Sequence, residues 1–181
     1  VAVYTAGIDS RAACVISSGG WGNGERKFRG QHKTAELYGQ FLAMLEAGRK
    51  HKETTGQSLQ VSRYDIVPIP ERLRNHVLHG SIETFPVDTA QSMFDFRPEE
   101  VVGNISPRPI MFLHSSEDSV TPTEQSVAMF NRAGLPKDLH LFAETDHFMF
   151  DESNRRVLAV VSDWLNKFFP IRVAQNQHAV A

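Results

Sequence analysis

The sequence has a single cysteine, little imbalance of charge, no internal repeat and no long apolar run. A lone cysteine forms no internal disulfide, so Cys14 gives no reading of redox compartment. Its place in the apolar stretch Ala12 to Ile16 predicts a buried core thiol. A formal net charge of -2 provides neither a basic stripe for phosphate backbones nor an acidic tail, which argues against nucleic acid as a partner. Every apolar run falls short of the roughly 20 residues that span a bilayer, and Val1 to Gly7 lacks the positive flank of a signal peptide. The expectation is a soluble, cytoplasmic protein with no membrane partner. What is present, 181 residues of which 41% are hydrophobic and 22% charged, suits one sizeable core with one excursion better than two domains.

Three regions follow along the chain. In the first, residues 1–20, Ala12 to Ile16 is bounded by Asp9-Ser10 and by Ser-Ser-Gly-Gly, the pattern of a strand covered on both faces. The second, Trp21 to about Ile105, is polar and helix-biased. Thr34 opens a helix with Leu37, Tyr38, Phe41, Leu42 and Leu45 at helical spacing, and shorter helices are predicted from Pro70 to His79, closed by Gly80, and around Val87 to Phe94.

The third region, 106–170, is the most legible. Pro109 to His114 is a buried-strand run. Thr121-Pro122-Thr123-Glu124 combines an N-cap Thr, a Pro at the first helical position and a Glu three residues after the cap. The helix it opens is expected to turn Val127, Met129 and Phe130 inward and to stop at a left-handed Gly134 before Pro136. Lys137 to Ala143 reads as a strand with Leu139 and Leu141 on one face. Asp151 or Ser153 is expected to cap a last helix carrying Val157, Leu158, Val161, Trp164, Leu165 and Phe168, ended by Pro170. Strand, helix, strand, helix with short loops predicts a right-handed parallel α/β unit.

In an open parallel sheet, catalytic groups gather beyond the carboxyl ends of the strands, where the loops share one rim. Asp118 follows the strand ending at His114, and His147 follows the next strand. Between them lie one loop, one helix and one returning strand, so the two side chains can meet across adjacent strand ends. A carboxylate on one imidazole nitrogen fixes the tautomer and leaves the other free to deprotonate a nucleophile. Asp146 reads as a loop-organising acceptor, and Glu117 as similar. His114, Glu117 and Asp118 do not make a metal site, because strand alternation aims neighbours apart. His140 reads as a packed or rim residue, and His76 and His79 as solvated.

Glu117-Asp118-Ser119-Val120-Thr121-Pro122 resembles the acid loop of the α/β-hydrolase family, and Thr145-Asp146-His147-Phe148 resembles its histidine loop. Ala12 to Ser17 is similar to the strand after the nucleophile's helix, and Trp21 to about Ile105 occupies the place of the family's helical cap. The resemblance runs from Val1 to about Pro170. It implies Asp118 as triad acid and His147 as triad base, a core made of 1–20 and 106–170, an inserted cap at 21–105 and a tail at 171–181. Trp21, Met93, Phe94 and Phe148 are the candidate pocket residues. Other cap aromatics, Phe85 and Phe96 among them, read first as core.

The family's nucleophile sits in a G-x-S-x-G elbow, and no such motif occurs in the sequence. Ser17 and Ser18 lack the required Gly two positions before them, and Ser81 lacks the strand–turn–helix setting. The economical expectation is the carboxyl-terminal part of an α/β-hydrolase parallel sheet. Val1 to Ala6 would be the rear of the nucleophile's helix, leading through a turn at Gly7 to Ser10 into the first strand. Three buried strands make a poor isolated sheet. A partner chain carrying the G-x-S-x-G segment is therefore expected to complete it, forming a serine esterase or amidase that needs no cofactor or metal. A dehalogenase or epoxide hydrolase with an Asp nucleophile, and a non-catalytic binding protein on this fold, remain as alternatives.

Overall fold

The computed structural model describes residues 1–169 apart from Leu78 and Glu152. The elements in order are α1 (Ala2–Ile8), β1 (Val15–Ser18), α2 (Gly24–Gln31), α3 (Ala35–Thr55), β2 (Gln60–Ser62), α4 (Arg63–Ile66), β3 (Thr84–Pro86), α5 (Val87–Asp95), β4 (Ile110–Ser115), α6 (Glu124–Arg132), β5 (Lys137–Phe142) and α7 (Arg155–Phe168). Short 3-10 segments occupy Glu71–His76, Pro98–Glu100 and Val102–Ile105. The chain divides into two compact units, Val1–Met149 and the part beginning at Phe150.

The first unit is built on a parallel sheet of order β1-β4-β5. All six residues of β4 are buried, the apolar Ile110 to Leu113 and the polar His114 and Ser115 alike, as befits a central strand. Val3 and Ala6 of α1, Val102 and Ile105, and Met129 of α6 with Ala133 just beyond it form one apolar cluster with Val15, Ile110 and Phe112. Each large apolar side chain buried there contributes on the order of 1.5–3 kcal/mol. The Arg108 guanidinium donates to the carbonyls of Ala6, Asp9 and Ala12, fastening the last turn of α1 to the entry of β1. The helical segment has its own cluster, in which Phe28 stacks on Phe41 at 4.5 Å beside Leu45, Ile66, Val87 and Ala90. A two-stranded antiparallel ribbon, β2 with β3, belongs to this segment.

Several local expectations are corrected. The first strand begins at Val15 instead of Ala12, so Cys14 precedes it and is half-buried, not a core thiol. No turn interrupts the chain at Gly7. Helix α1 continues to Ile8, and Gly7 sits where a Cβ would strike the Val101 carbonyl. Thr34 caps α3 as its spacing predicts, but the buried stripe is Phe41, Leu45 and Gly48, with Tyr38 half-buried beside it. Leu37 and Leu42 lie off that stripe, 47% and 39% exposed.

The Thr121 capping box does not form. The Thr121 amide is taken by the Asp118 carboxylate, and α6 starts at Glu124 after a turn in which Thr123 donates to the Ser115 carbonyl. Helix α6 buries Gln125, Ser126 and Met129, while Val127 and Phe130 are half-buried. Its carboxyl end is closed by Lys137 Nζ, which donates to the carbonyls of Phe130 and Ala133. Gly134 is not left-handed, and the chain leaves α6 through an extended Ala133. In β5, Leu139 packs on the core cluster but Leu141 is 46% exposed.

In the second unit, α7 is capped by Asn154, whose side chain accepts from the Val157 amide. Asp151 instead accepts from Ser153, so neither of the two expected residues is the cap. Val157 and Trp164 are the buried residues of α7. Pro170, the expected stop, and the tail 171–181 lie outside the described residues.

Candidate active site

Asp118 and His147 meet. Asp118 stands three residues beyond the end of β4, His147 five beyond the end of β5, and His147 Nδ1 donates to Asp118 Oδ2 at 2.8 Å. The Asp118 side chain is fully buried and that of His147 is 24% exposed. An ionised carboxylate only accepts, so Nδ1 carries the ring hydrogen, and in the neutral imidazole the lone pair is on Nε2. Gly19, the first residue beyond β1, completes the row of strand ends. Its φ is +55°, and a Cβ there would fall 3.3 Å from His147 Cε1 and 3.8 Å from Asp118 Oδ2. The tight Ser-Ser-Gly-Gly corner therefore places bare backbone against the imidazole.

Asp118 is held by four donors. Oδ1 accepts from the amides of Val120 and Thr121 at 2.8 and 2.7 Å. Oδ2 accepts from His147 and lies 3.1 Å from Nε2 of His114. Burial by itself would raise the carboxyl, but the bonds from His114 and His147 outweigh it and hold the group well below the ordinary carboxylate range. His114, in the fully buried β4, also places Nε2 3.0 Å from the Thr121 carbonyl and Nδ1 2.6 Å from Ser126 Oγ. A carbonyl cannot donate, so Nε2 carries the hydrogen and the Ser126 hydroxyl donates to Nδ1. Both ring nitrogens of His114 are thus committed within the protein, which accounts for it better than any metal role. Among the described residues no group of three metal-ligating side chains occurs.

Asp146 organises the loop, as expected. It accepts from the Ser119 amide and hydroxyl, from the His147 amide and from Arg72, and so ties the histidine loop to the acid loop. Desolvation opposes its charge, but these bonds leave the carboxyl below its ordinary value. Glu117 is exposed, and its amide donates to Ser115 Oγ.

A cavity of about 450 Å³ opens beside His147. Trp21, Met93 and Phe148 line it, as do Phe85, Val120 and Ile66. Phe94 does not. It packs on Phe28 and Phe41 inside the helical segment, 6.3 and 6.0 Å away. Phe96 contacts Tyr4 and Trp21 instead. His76 is exposed, as expected, and it also stacks on Phe148 at 5.1 Å and lines the cavity. Ser81 also lines it, whereas Ser17 and Ser18 do not.

Two participants escape the sequence reading. His114 sits in an apolar strand, where the only visible signal is one imidazole among aliphatic neighbours. Lys27 is 1% exposed on the inner face of α2 and lines the cavity. Its visible signal is helical spacing, since Gly24, Lys27, Phe28 and Gln31 share the buried face.

No protein-family model matches the sequence, and no curated protein matches it. Solved structures do match. An α/β hydrolase from Penicillium sp. sh18 superposes with a TM-score of 0.68 at 17% identity, over 92% of this chain and 59% of that one. The monoacylglycerol lipase of Paleococcus ferrophilus gives 0.65 at 16%, over 92% and 63%. A soluble variant of the monoglyceride lipase of Saccharomyces cerevisiae gives 0.59 at 13%, over 92% and 61%. The chain has the α/β-hydrolase fold and spans about 60% of the length of these structures.

Proposed function

We propose that this chain supplies the acid and base of a serine hydrolase that cleaves an ester or amide bond, with the nucleophile on a separate segment or partner chain. The observation that carries the reading is the 2.8 Å bond from His147 Nδ1 to a buried Asp118, set at the mouth of a largely apolar cavity. In this scheme Nε2 of His147 removes the proton of the attacking hydroxyl while Asp118 steadies the imidazolium. The same nitrogen then protonates the leaving group and activates water for deacylation. The buried dipoles around Asp118 keep the carboxylate ionised and oriented throughout, so it need not accept the proton itself.

Two further features support a partner that completes the sheet. Strand β1 pairs only with β4 among the described residues, which leaves one edge open beside α1. The solved structures that share the fold are longer than this chain, by the coverages given above. In the proposal, the added strands pair with the open edge of β1 and bring the elbow and the oxyanion donors toward His147, and the segment 21–105 acts as the cap over the cavity.

Pre-steady-state hydrolysis of a p-nitrophenyl ester by the assembled enzyme tests the reading. It calls for a burst of about one equivalent of nitrophenol, absent from the His147→Ala variant. A burst of unchanged size in that variant overturns it.

A further inference from the structure

The cavity beside His147 contains a charge that the fold does not require. Among the described residues lining it, every ionisable side chain is basic: Lys27, Arg63, His76 and His147. Arg63 donates to the Ile82 carbonyl, and His76 stacks on Phe148. Lys27 has no such engagement. It makes no hydrogen bond or ion pair with a described residue, and its Nζ stands 4.1 Å from the ring centroid of Phe28 and 5.0 Å from that of Trp21. Cation–π contact recovers less than the cost of burying an unpaired ammonium. Desolvation accordingly lowers its pKa to about 7, with Asp118 opposing through space. A Met would fill the same volume without this cost, so packing alone gives no reason for a lysine.

The same wall carries a second unsatisfied donor. The indole Nε1 of Trp21 is buried and has no hydrogen-bond partner. A buried donor left unpaired is costly, and pairing with an acceptor recovers that cost. One desolvated cation and one orphan N–H, in a cavity with no acid among its described lining residues, together match a carboxylate.

We propose that Lys27 and Trp21 form a carboxylate-binding subsite, so that the substrate carries a free carboxylate in addition to the bond cleaved at His147, as a half-ester or half-amide of a short dicarboxylic acid does. The inference rests on the reading of His147 as the catalytic base. A cavity of about 450 Å³ suits a compact molecule of that kind. Binding exchanges the hydration of the carboxylate for a fixed ammonium and an indole N–H in a water-poor site, where a charge-assisted bond is strong.

Calorimetric titration of the assembled enzyme with two non-hydrolysable ketones, 5-oxohexanoate and the neutral heptan-2-one, which carries an ethyl group in place of the carboxylate, tests the subsite. The expected result is at least tenfold tighter binding of the anion, a preference lost in Lys27→Met and largely kept in Lys27→Arg. Equal affinity of the wild-type enzyme for the two ligands overturns the proposal, whether or not the variants fold. So does an anion preference that survives in Lys27→Met. The two readings separate cleanly. Ester turnover without anion preference removes the subsite and leaves the hydrolase, whereas a Lys27-dependent preference without any ester turnover leaves the subsite and removes the hydrolase.

Discussion

His114 Nε2 lies 3.1 Å from Asp118 Oδ2, the oxygen that also accepts the His147 hydrogen at 2.8 Å. One buried carboxylate oxygen thus serves two imidazoles, one exposed to the cavity and one sealed in the central strand. The inner histidine fixes where the carboxylate points, and the outer one inherits that direction.

Removing the carboxylate charge while keeping its shape isolates this effect. Asp118→Asn is expected to assemble normally but to turn over about 10⁴-fold more slowly, because the amide no longer selects the required tautomer of His147. Steady-state kinetics on an activated ester checks it, with thermal unfolding as the control for assembly.

The inner imidazole has a stability signature. His114→Leu leaves Ser126 without its acceptor and takes one donor from Asp118, so a loss of about 1–3 kcal/mol is expected. The pH dependence is more specific. The folded carboxyl of Asp118 lies below its ordinary value of 3.8, so its contribution is present above that pH and disappears as pH falls through the folded value. With His114 gone the folded value rises, and the contribution becomes smaller. Urea midpoints measured across the acid range test this, the gap between wild type and variant narrowing toward the lowest pH.

Lys27 acts in the opposite range. Its folded pKa of about 7 is below its ordinary 10.5, so between these values the unfolded chain binds more protons and stability rises with pH. The gain is on the order of several kcal/mol across that window. Lys27→Met removes the dependence and is expected to raise the unfolding midpoint at pH 6, where the wild-type amine is charged. Melting curves from pH 6 to 10 for both proteins give the comparison.

Gly19 couples fold to site. Any side chain there meets both a φ of +55° and the His147 ring. Gly19→Ala is expected to cost roughly 1–2 kcal/mol of stability from the left-handed backbone alone. It should also displace the imidazole, so kcat falls while KM changes little. Kinetics and unfolding of this variant beside Gly103→Ala, whose added Cβ meets nothing nearer than 3.6 Å, separate the local clash from a general glycine effect.

Much of this arrangement is readable from the residues. Pro109 to Ala143 shows its strand, helix and strand because β4 is buried on both faces and α6 is bounded by breakers, and the offset from Asp118 to His147 follows from that order. The ends of α6 are less legible. Thr121-Pro122 has good capping chemistry, but the Asp118 carboxylate takes the Thr121 amide and pulls the segment into the acid loop. Gly134 suggests a left-handed stop, yet Lys137 supplies the closing hydrogen bonds from the next strand. Such tertiary partners leave no local mark. For the same reason Phe94 reads as a pocket residue and proves to belong to the Phe28–Phe41 stack, and the interior place of Lys27 passes unread.

The nucleophile is the central claim. Labelling the assembled enzyme with a fluorophosphonate and mapping the adduct by mass spectrometry addresses it most directly. The expected adduct is on a serine outside residues 1–181, strong in the wild type and lost in His147→Ala. An adduct on Ser17, Ser18 or Ser81, or labelling of equal strength in the His147→Ala variant, would contradict it.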